Sequence, residues 1–200
     1  MDLSEWTKGI ELGHGLREDV REFLTEHNRL GTLNHVELVA EEAIRMAKRF
    51  GVDPAAAEKA GLLHDISAVI PYDRRLETAL AWGMPVLPEE EAYPVLLHQG
   101  LSVILAREIF GISDEAVLTA ISCHTTLRPG STALDQVLFL ADKIAWDHGE
   151  MPPYLLELNE ALGRSLADAC RFFLEYLQLN ASGSLHPWVN AALLELKNPE

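Results

Sequence analysis

The chain has 200 residues, 48% of them hydrophobic, enough to form a sizeable core in one globular domain. Its formal net charge of −15 argues against a nucleic-acid partner, which would require clustered lysine and arginine. The sequence has neither an apolar run of the roughly 18 residues that span a membrane nor the basic start and apolar stretch of a signal peptide. Two cysteines, Cys123 and Cys170, are too few for a disulfide framework. We therefore expect a cytoplasmic protein without a membrane partner.

Apolar residues recur at three- and four-residue steps along nearly the whole chain, which is typical of amphipathic α-helices. In segment 16–28, for example, Leu16, Val20, Phe23 and Leu24 fall on one stripe. Further helical segments are predicted over 33–51, 54–64, 72–83, 101–111, 113–124, 133–146 and 154–177, with a short last helix opened by His186-Pro187. No segment alternates polar and apolar residues as a half-buried strand would, so the sequence predicts an all-α fold.

Several residues mark where these helices begin and end. Gly51 suits the end of one helix, and Asp53-Pro54 reads as an N-cap followed by a first-turn proline. Ser113 is predicted to begin a later helix, because two acidic residues follow it. The segment 85–88, with a proline at each end, is predicted to be a loop.

Six side chains that can bind a metal lie near helix ends or on apolar faces. In chain order they are His35, His64, Asp65, His98, His124 and Asp142. Asp142 stands in the apolar run VLFLADKIA, where an unpaired carboxylate would be costly to bury. Imidazole and carboxylate groups suit zinc, iron, manganese and similar ions. Six are too many for one tetrahedral structural zinc site, but they are the right number for two metals that share a bridging carboxylate.

Each histidine taken alone, and the His64-Asp65 pair, is more often an ordinary polar group, bonded to backbone or water, and Asp142 alone is as often a satisfied core aspartate as a ligand. Their joint occurrence on successive helices, in the order His, His-Asp, His, His, Asp, makes that interpretation much weaker. The other histidines are interpreted differently. His14 and His27 are expected to be solvated or helix-end residues, His186 to begin the last helix, and His148 is ambiguous, in a loop that borders the candidate site.

Three stretches that contain these residues resemble the HD-domain phosphohydrolases, and within them the YqeK-type branch of symmetrical diadenosine tetraphosphate hydrolases. They are NHVELVAEEAIRMAKRFGVDPAAAEKAGLLHDIS, LLHQGLSVILAREIFGISDEAVLTAISCHTT and LDQVLFLADKI. The resemblance implies one HD-type helical domain over 1–200, with the core motifs in 33–145 and C-terminal helices in 154–196 packed on them. It also implies a helical bundle around a dinuclear metal site, commonly iron, with manganese, cobalt or zinc accepted by the same ligands.

The resemblance also implies a role for each ligand. His35, His64, Asp65 and Asp142 would hold one metal, and Asp65 would bridge to a second metal held by His98 and His124. His64 and Asp65 would form the catalytic pair, and a hydroxide bridging the two metals would attack a β-phosphorus to give two ADP. The expected substrate contacts, the donors nearest to these ligands in sequence, are Thr125, Thr126, Arg128 and Lys143.

Several positions depart from the family pattern. Ala68 stands where many HD hydrolases carry a lysine, and Leu127 replaces a glycine after His-Thr-Thr. The sequence AWDHGE replaces an acidic-Pro-x-Arg element, so an expected phosphate-binding arginine is missing. Two alternatives therefore stay open besides the tetraphosphate hydrolase with its nucleotide substrate. One is a hydrolase of another nucleotide or phosphomonoester, and the other is a catalytically weak module that binds metal or nucleotide. The sequence also leaves homodimerisation open.

Overall fold

The computed structural model describes residues 3–146, 149–181, 183 and 185–198. Within these residues it contains twelve α-helices, three short 3-10 helices and no strand, which confirms the predicted all-α fold. The first six α-helices are α1 (Ser4–Thr7), α2 (Leu16–Glu26), α3 (Leu30–Phe50), α4 (Pro54–Leu63), α5 (Arg75–Ala81) and α6 (Pro88–Ala92). The other six are α7 (His98–Glu108), α8 (Glu115–Cys123), α9 (Ala133–Ile144), α10 (Leu155–Arg164), α11 (Leu166–Asn180) and α12 (Pro187–Lys197). The 3-10 helices span Ile66–Val69, Tyr72–Arg74 and Pro94–Leu97.

The centre of the fold is a group of four helices that pack on one another. Helices α3 and α4 lie side by side and both contact α9, while α8 packs on α4 and α9. The approach of α3 to α4 depends on Gly61, because a Cβ atom added there would lie 2.6 Å from the Ala40 Cα atom. This close packing holds the end of α4, where His64 lies, against the middle of the bundle.

The C-terminal helices form a further layer on α9. Helix α11 packs against α9, α10 and α12. The rings of Phe139 on α9 and Phe173 on α11 meet edge to face with 5.6 Å between their centroids. Tyr154 lies 5.0 Å from the Phe173 ring in a similar geometry. This aromatic cluster places the inner face of α11 beside the end of α9 that carries Asp142.

The predicted single helix over 154–177 is wrong, because the structure divides it at Ser165 into α10 and α11. Ser165 is extended, with φ −163° and ψ 165°, and its hydroxyl accepts a hydrogen bond from the Asp168 backbone N–H at 3.0 Å. A serine that caps the following helix satisfies backbone donors that a continuous helix would have bonded internally. The periodicity continues through the break because buried residues keep four-residue steps across it, at Leu158, Leu162 and Leu166.

Two smaller predictions also need correction. The segment predicted as a loop contains the start of α6, which begins at Pro88 and is stabilised by Glu90, whose carboxylate accepts from the Leu87 N–H at 2.9 Å. Helix α8 is capped by Asp114 and not by Ser113, because the Asp114 carboxylate accepts from the Ala116 N–H at 2.9 Å.

Helix α3 begins at Leu30 and not at residue 33, α7 begins at His98 and not at residue 101, and Tyr72–Arg74 form a 3-10 helix before α5. Three predicted end residues are confirmed. Gly51 ends α3 in the left-handed conformation with φ 71°. Asp53 caps α4 by accepting from the Ala55 N–H, and Pro54 follows it. His186 caps α12, since its Nδ1 accepts from the Trp188 N–H at 3.2 Å. Across the described part of the chain, no helix has the length and apolar character needed to cross a bilayer.

Candidate metal centre

Five elements carry the six predicted ligands to one place. His35 lies in α3, His98 is the first residue of α7, and Asp142 is in the last turns of α9. His64 and His124 each follow the last residue of a helix, at the ends of α4 and α8, and Asp65 precedes the 3-10 helix Ile66–Val69. Because α3, α4, α8 and α9 pack on one another, these helix ends meet inside the bundle.

The first cluster consists of His35, His64 and Asp142, whose ligand atoms all lie within 4.8 Å of one another. The Nε2 atom of His35 is 3.1 Å from Oδ1 of Asp142, and Nε2 of His64 is 3.6 Å from the same oxygen. The two Nε2 atoms are 3.3 Å apart. Two imidazoles and a carboxylate thus point at one small volume.

The second cluster surrounds Asp65. Its Oδ1 atom lies 3.5 Å from Nε2 of His98 and 3.6 Å from Nε2 of His124, and its Oδ2 atom lies 3.8 Å from Nε2 of His64. The Asp65 carboxylate therefore turns one oxygen to each cluster. All six predicted ligands are brought together, and Asp65 lies between the two groups, where the resemblance puts a bridging ligand.

Backbone hydrogen bonds orient three of the four imidazoles. In His64, His98 and His124 the Nδ1–H group donates to the carbonyl oxygen three residues earlier, of Gly61, Val95 and Ile121 respectively. A donor at Nδ1 leaves the lone pair of a neutral imidazole on Nε2, directed to the centre of the site. Histidines that bind metals commonly have this arrangement.

The spacing of His98 and His124 tests whether these residues suit a metal. Their Nε2 atoms lie 2.9 Å apart, while both Nδ1 atoms are directed at backbone carbonyls. Two facing lone pairs at this distance repel each other unless a proton or a cation lies between or beside them. The donor set of neutral imidazoles and carboxylates therefore fits a divalent first-row metal ion.

The carboxylates of the site are ionised at neutral pH. Burial would raise the pKa of Asp65, but His64, His124 and His98 outweigh it and hold that pKa well below its usual value. Burial opposes ionisation of Asp142 in the same way, and Lys143 is the largest of the charges that hold its pKa far below the usual value. Each carboxylate is thus available as an anionic ligand.

The imidazoles divide into two kinds. Burial lowers the pKa of His98 to about 4 and also lowers that of His124, so both are neutral near pH 7. Burial acts on His64 as well, but Asp65 and Asp142 outweigh it and raise its pKa. The position between these two carboxylates therefore favours a positive charge, which a bound cation would supply in place of the proton.

Three of the four predicted substrate contacts border a cavity of about 320 Å³ beside the second cluster. Thr125, Thr126 and Lys143 line it at the metal-ligand end. Thr125 Oγ1 is 3.0 Å from Nε2 of His98. The Lys143 ammonium bonds the Asp142 carboxylate and lies 3.5 Å from the His124 carbonyl oxygen.

The rest of the cavity wall was not foreseen from the sequence. It is largely apolar and comes from the C-terminal helices and the segment before α7, with Phe173, Leu177, Val189, Tyr93 and His186 among its residues. His186 is only 4% exposed, although its ring caps α12 as predicted. An inward apolar face on α11 was visible in the periodicity, but nothing local indicated that part of it borders a cavity.

Gln99 is a further residue that the sequence did not single out. Its buried side-chain oxygen accepts from the Thr125 N–H at 3.2 Å and from the Thr126 hydroxyl at 3.3 Å. Gln99 follows His98 directly, so it ties the start of α7 to the segment after His124. It thereby fixes two predicted substrate contacts relative to two predicted ligands.

Arg128 lies elsewhere. Its guanidinium pairs with the buried carboxylate of Asp135 at 2.9 Å and is not among the residues that line the cavity. The neighbouring Leu127 is fully buried with φ 51°, a left-handed conformation that costs a non-glycine residue roughly 1 kcal/mol. The backbone thus keeps the conformation suited to the family's glycine, and burial of the leucine side chain offsets the strain.

Two of the remaining histidines agree with their predicted roles. His14 is exposed. His27 follows the last residue of α2, where its Nδ1 lies 2.8 Å from the Phe23 carbonyl oxygen. His148 lies outside the residues that the structure describes.

Comparison with known proteins places this geometry in a family. The model of the HD domain family matches residues 32–147. An uncharacterized protein from the pepC 5' region of Lactococcus lactis subsp. cremoris is 42% identical over 74% of this chain and 75% of its own length. A symmetrical bis(5'-nucleosyl)-tetraphosphatase from Bacillus subtilis is 32% identical over 78% of this chain and 84% of its own length.

A solved structure has the same fold. It is described as a predicted HD superfamily hydrolase involved in NAD metabolism, from Clostridium acetobutylicum, and superposes with a TM-score of 0.84. It is 28% identical, and the match covers 92% of this chain and 98% of that one. The resemblance that the sequence motifs indicated is confirmed: the chain belongs to the HD domain family.

Proposed function

We propose that this HD-domain hydrolase cleaves a nucleotide phosphoanhydride, with diadenosine tetraphosphate as its substrate and two ADP as products. The observation that carries the proposal is that Lys143 and Thr125, which line an apolar cavity, contact Asp142 and His98 of two adjoining His/Asp clusters. A site for phosphate chemistry thus lies next to a site for an apolar ring. The name of the Bacillus subtilis relative supports the same substrate.

The six clustered residues would hold the metals. In this proposal His35, His64, Asp65 and Asp142 bind one ion, and Asp65, His98 and His124 bind the second. Iron is our first choice, with manganese, cobalt and zinc compatible with the same ligands. Two such ions supply Lewis-acid stabilisation of phosphate oxygens and activation of water.

The protein's own residues would position the substrate. Lys143 carries a positive charge at the boundary between clusters and cavity and can donate to a phosphate oxygen. The hydroxyls of Thr125 and Thr126 border the same boundary and offer neutral donors. In the overall reaction one water adds to a β-phosphorus, the bond to the central bridging oxygen breaks, and two ADP result.

The cavity would receive one nucleoside. Its volume of about 320 Å³ is at the lower end of the roughly 300–1,000 Å³ typical of small-molecule sites. Phe173, Leu177 and Val189 offer apolar surface for a base, and His186 offers a polar ring at the wall. A nucleoside held here would place its phosphates beside Lys143 and the clusters.

A second candidate is a hydrolase that acts on another nucleotide or on a phosphomonoester. It is favoured by the position of Arg128, which is bound to Asp135 and so does not compensate for the missing arginine of the family pattern. A third candidate is a module that binds metal but turns substrate over slowly. Such a protein would have the same metal content but would give no ADP in the test below.

In the test, protein reconstituted with iron is incubated with diadenosine tetraphosphate, and protein reconstituted with manganese is treated in parallel. Chromatography then identifies the products. We expect ADP as the sole product. ATP with AMP would contradict symmetrical cleavage, and no turnover by protein with two metals per chain would exclude this substrate. Asp65→Ala should abolish metal binding and turnover, whereas Asp73→Ala, an exposed carboxylate nearby in sequence, should preserve both.

A further inference from the structure

Two arginines near the candidate metal centre have no carboxylate partner. Most arginines of this acidic chain form salt bridges, namely Arg17, Arg21, Arg45, Arg74, Arg107, Arg128, Arg164 and Arg171. Within the described residues Arg49 also lacks a salt bridge but donates to the Leu162 carbonyl oxygen, whereas Arg29 and Arg75 form none. The Nε atoms of both are buried and lack a hydrogen-bond partner there. Buried donors without acceptors destabilise a fold unless something else binds them.

Arg75 lies against a predicted metal ligand. Its Nη1 atom donates to the Val95 carbonyl oxygen at 3.4 Å, and the same oxygen accepts the Nδ1–H of His98. The guanidinium and the imidazole are therefore held by one backbone atom. This contact places Arg75 beside the second cluster, in the segment that leads into α7.

Arg29 lies at the start of α3, six residues before His35. A separate cavity of about 330 Å³ is lined by His35 and Asp65 together with Gly31 and Thr32, which follow Arg29 in the first turn of α3. It therefore includes one ligand from each cluster, and it differs from the apolar cavity near Lys143 in all its lining residues.

The two guanidinium groups are close enough to affect each other. Burial is the main cause of a lowered pKa for Arg75, and repulsion from Arg29 adds to it, although Asp65 acts in the opposite direction. Two half-buried positive charges that repel each other, close to Asp65, create a local potential that attracts an anion. The chain as a whole has a formal net charge of −15, which repels an anion.

We propose that Arg29 and Arg75 form a phosphate-binding pair on the Asp65 side of the metal centre. This inference rests on the proposed function in that the anion is the polyphosphate of the substrate. Planar guanidinium groups bind phosphate oxygens through two parallel donors, which matches the free Nε atoms. The substrate would then extend from the apolar cavity, across the two clusters, to the arginine pair. The pair replaces the cations lost at Ala68 and in the AWDHGE segment.

The experiment compares R29Q, R75Q and the double variant with R74Q. Arg74 is the matched control, because it adjoins Arg75 in sequence but is exposed and paired with Glu5 at 2.6 Å. Metal-loaded proteins are titrated with inorganic pyrophosphate by calorimetry, and their metal content is measured. We expect R29Q and R75Q each to weaken pyrophosphate binding about tenfold, as loss of a charge-assisted hydrogen bond does. Metal content should stay at the parent value, and R74Q should bind within twofold of the parent.

Any one of three results would overturn the proposal. They are parent-like binding of pyrophosphate by R29Q and R75Q, equal weakening of binding in R74Q, and no binding of millimolar pyrophosphate by the parent. If R75Q loses its helical circular dichroism signal, R75K is measured in its place. Full affinity for pyrophosphate in both R75K and R29Q would also overturn the proposal. The result is separable from the proposed function. A parent protein that does not cleave diadenosine tetraphosphate contradicts that function, while the pyrophosphate titrations still decide the role of the arginines.

Discussion

The guanidinium of Arg128 is bound to the carboxylate of Asp135, with 2.9 Å between Nη2 and Oδ2. The Asp135 side chain is 1% exposed and also accepts the Thr132 N–H at 2.8 Å, so it joins the start of α9 to the segment after His124. The arginine nearest to the predicted ligands in sequence thus serves the fold. Arg75, which the sequence did not single out, shares the Val95 carbonyl oxygen with the predicted ligand His98.

We expect Asp135→Ala to lower the free energy of unfolding by about 2 to 3 kcal/mol. The substitution leaves the partly buried Arg128 charge without its partner and removes an acceptor from the first turn of α9. Urea denaturation followed by circular dichroism measures the change. Asp114→Ala, which removes only the exposed cap of α8, should lower the same free energy by about 1 kcal/mol. Equal effects of the two substitutions would contradict the structural role of the Arg128–Asp135 pair.

Each half of the proposed metal centre can be removed separately. His35→Gln should reduce the metal content from two ions per chain toward one, because His35 belongs to the first cluster only. His98→Gln should do the same through the second cluster, where His98 faces Asp65 and His124. Elemental analysis of the purified variants measures the content.

The control for these variants is His27→Gln. The His27 ring stacks on Trp6 at a centroid distance of 6.3 Å and packs at a tilt against Phe23 at 4.6 Å, and it is not part of either cluster. It should retain two ions per chain. If His27→Gln lost metal as His35→Gln does, or if both ligand variants kept two ions, the assignment of the clusters would be wrong.

Gly61 offers a test of how packing positions the ligands. Gly61→Ala should lower the free energy of unfolding by about 1 to 3 kcal/mol, since the new Cβ would lie 2.6 Å from the Ala40 Cα atom. It should also weaken metal binding, because separation of α3 from α4 moves His64 away from His35. Gly163→Ala is the opposite case: its Cβ meets no atom within 4 Å, and it should stabilise the exposed end of α10 by about 0.5 to 1 kcal/mol. Thermal unfolding measured with and without metal would separate the two effects.

The buried thiol of Cys170 predicts how stability depends on pH. Burial, with a smaller effect of Cys123, raises its pKa well above the usual value. An unfolded thiol ionises near pH 8.5, whereas the native thiol stays protonated. The contribution to stability is therefore fully present below about pH 8.5 and is lost as the pH rises toward the native pKa. The urea midpoint should fall between pH 8 and pH 10.5, and it should fall less in Cys170→Ala.

The same burial predicts slow chemical labelling. At pH 8 the native protein should react with a thiol reagent many times more slowly than the protein in urea, where both cysteines become accessible. Rapid labelling of Cys170 in the native state would show that its surroundings open readily, and the predicted pH dependence would then fail as well.

The sequence by itself determined the all-α fold, most helix boundaries and the six candidate ligands. These features depend on local information. The periodicity of a helix shows which of its residues are buried, and a cap bonds backbone groups within a few residues of itself. The candidate ligands are recognised by their residue type and by their order at successive helix ends. The break at Ser165 escaped this reasoning because the buried residues of α10 and α11 keep the same three- and four-residue steps on both sides of it.

Only the tertiary structure decided which charges face the site. Whether an arginine is free to bind phosphate depends on whether packing gives it a carboxylate, and that partner can come from anywhere in the chain. Packing gave Asp135 to Arg128. Among the residues that the structure describes, Arg75 has no carboxylate partner and instead donates to a carbonyl twenty residues away. The apolar cavity has the same origin, because its walls come from α11, α12 and the segment before α7, which meet only in the folded chain.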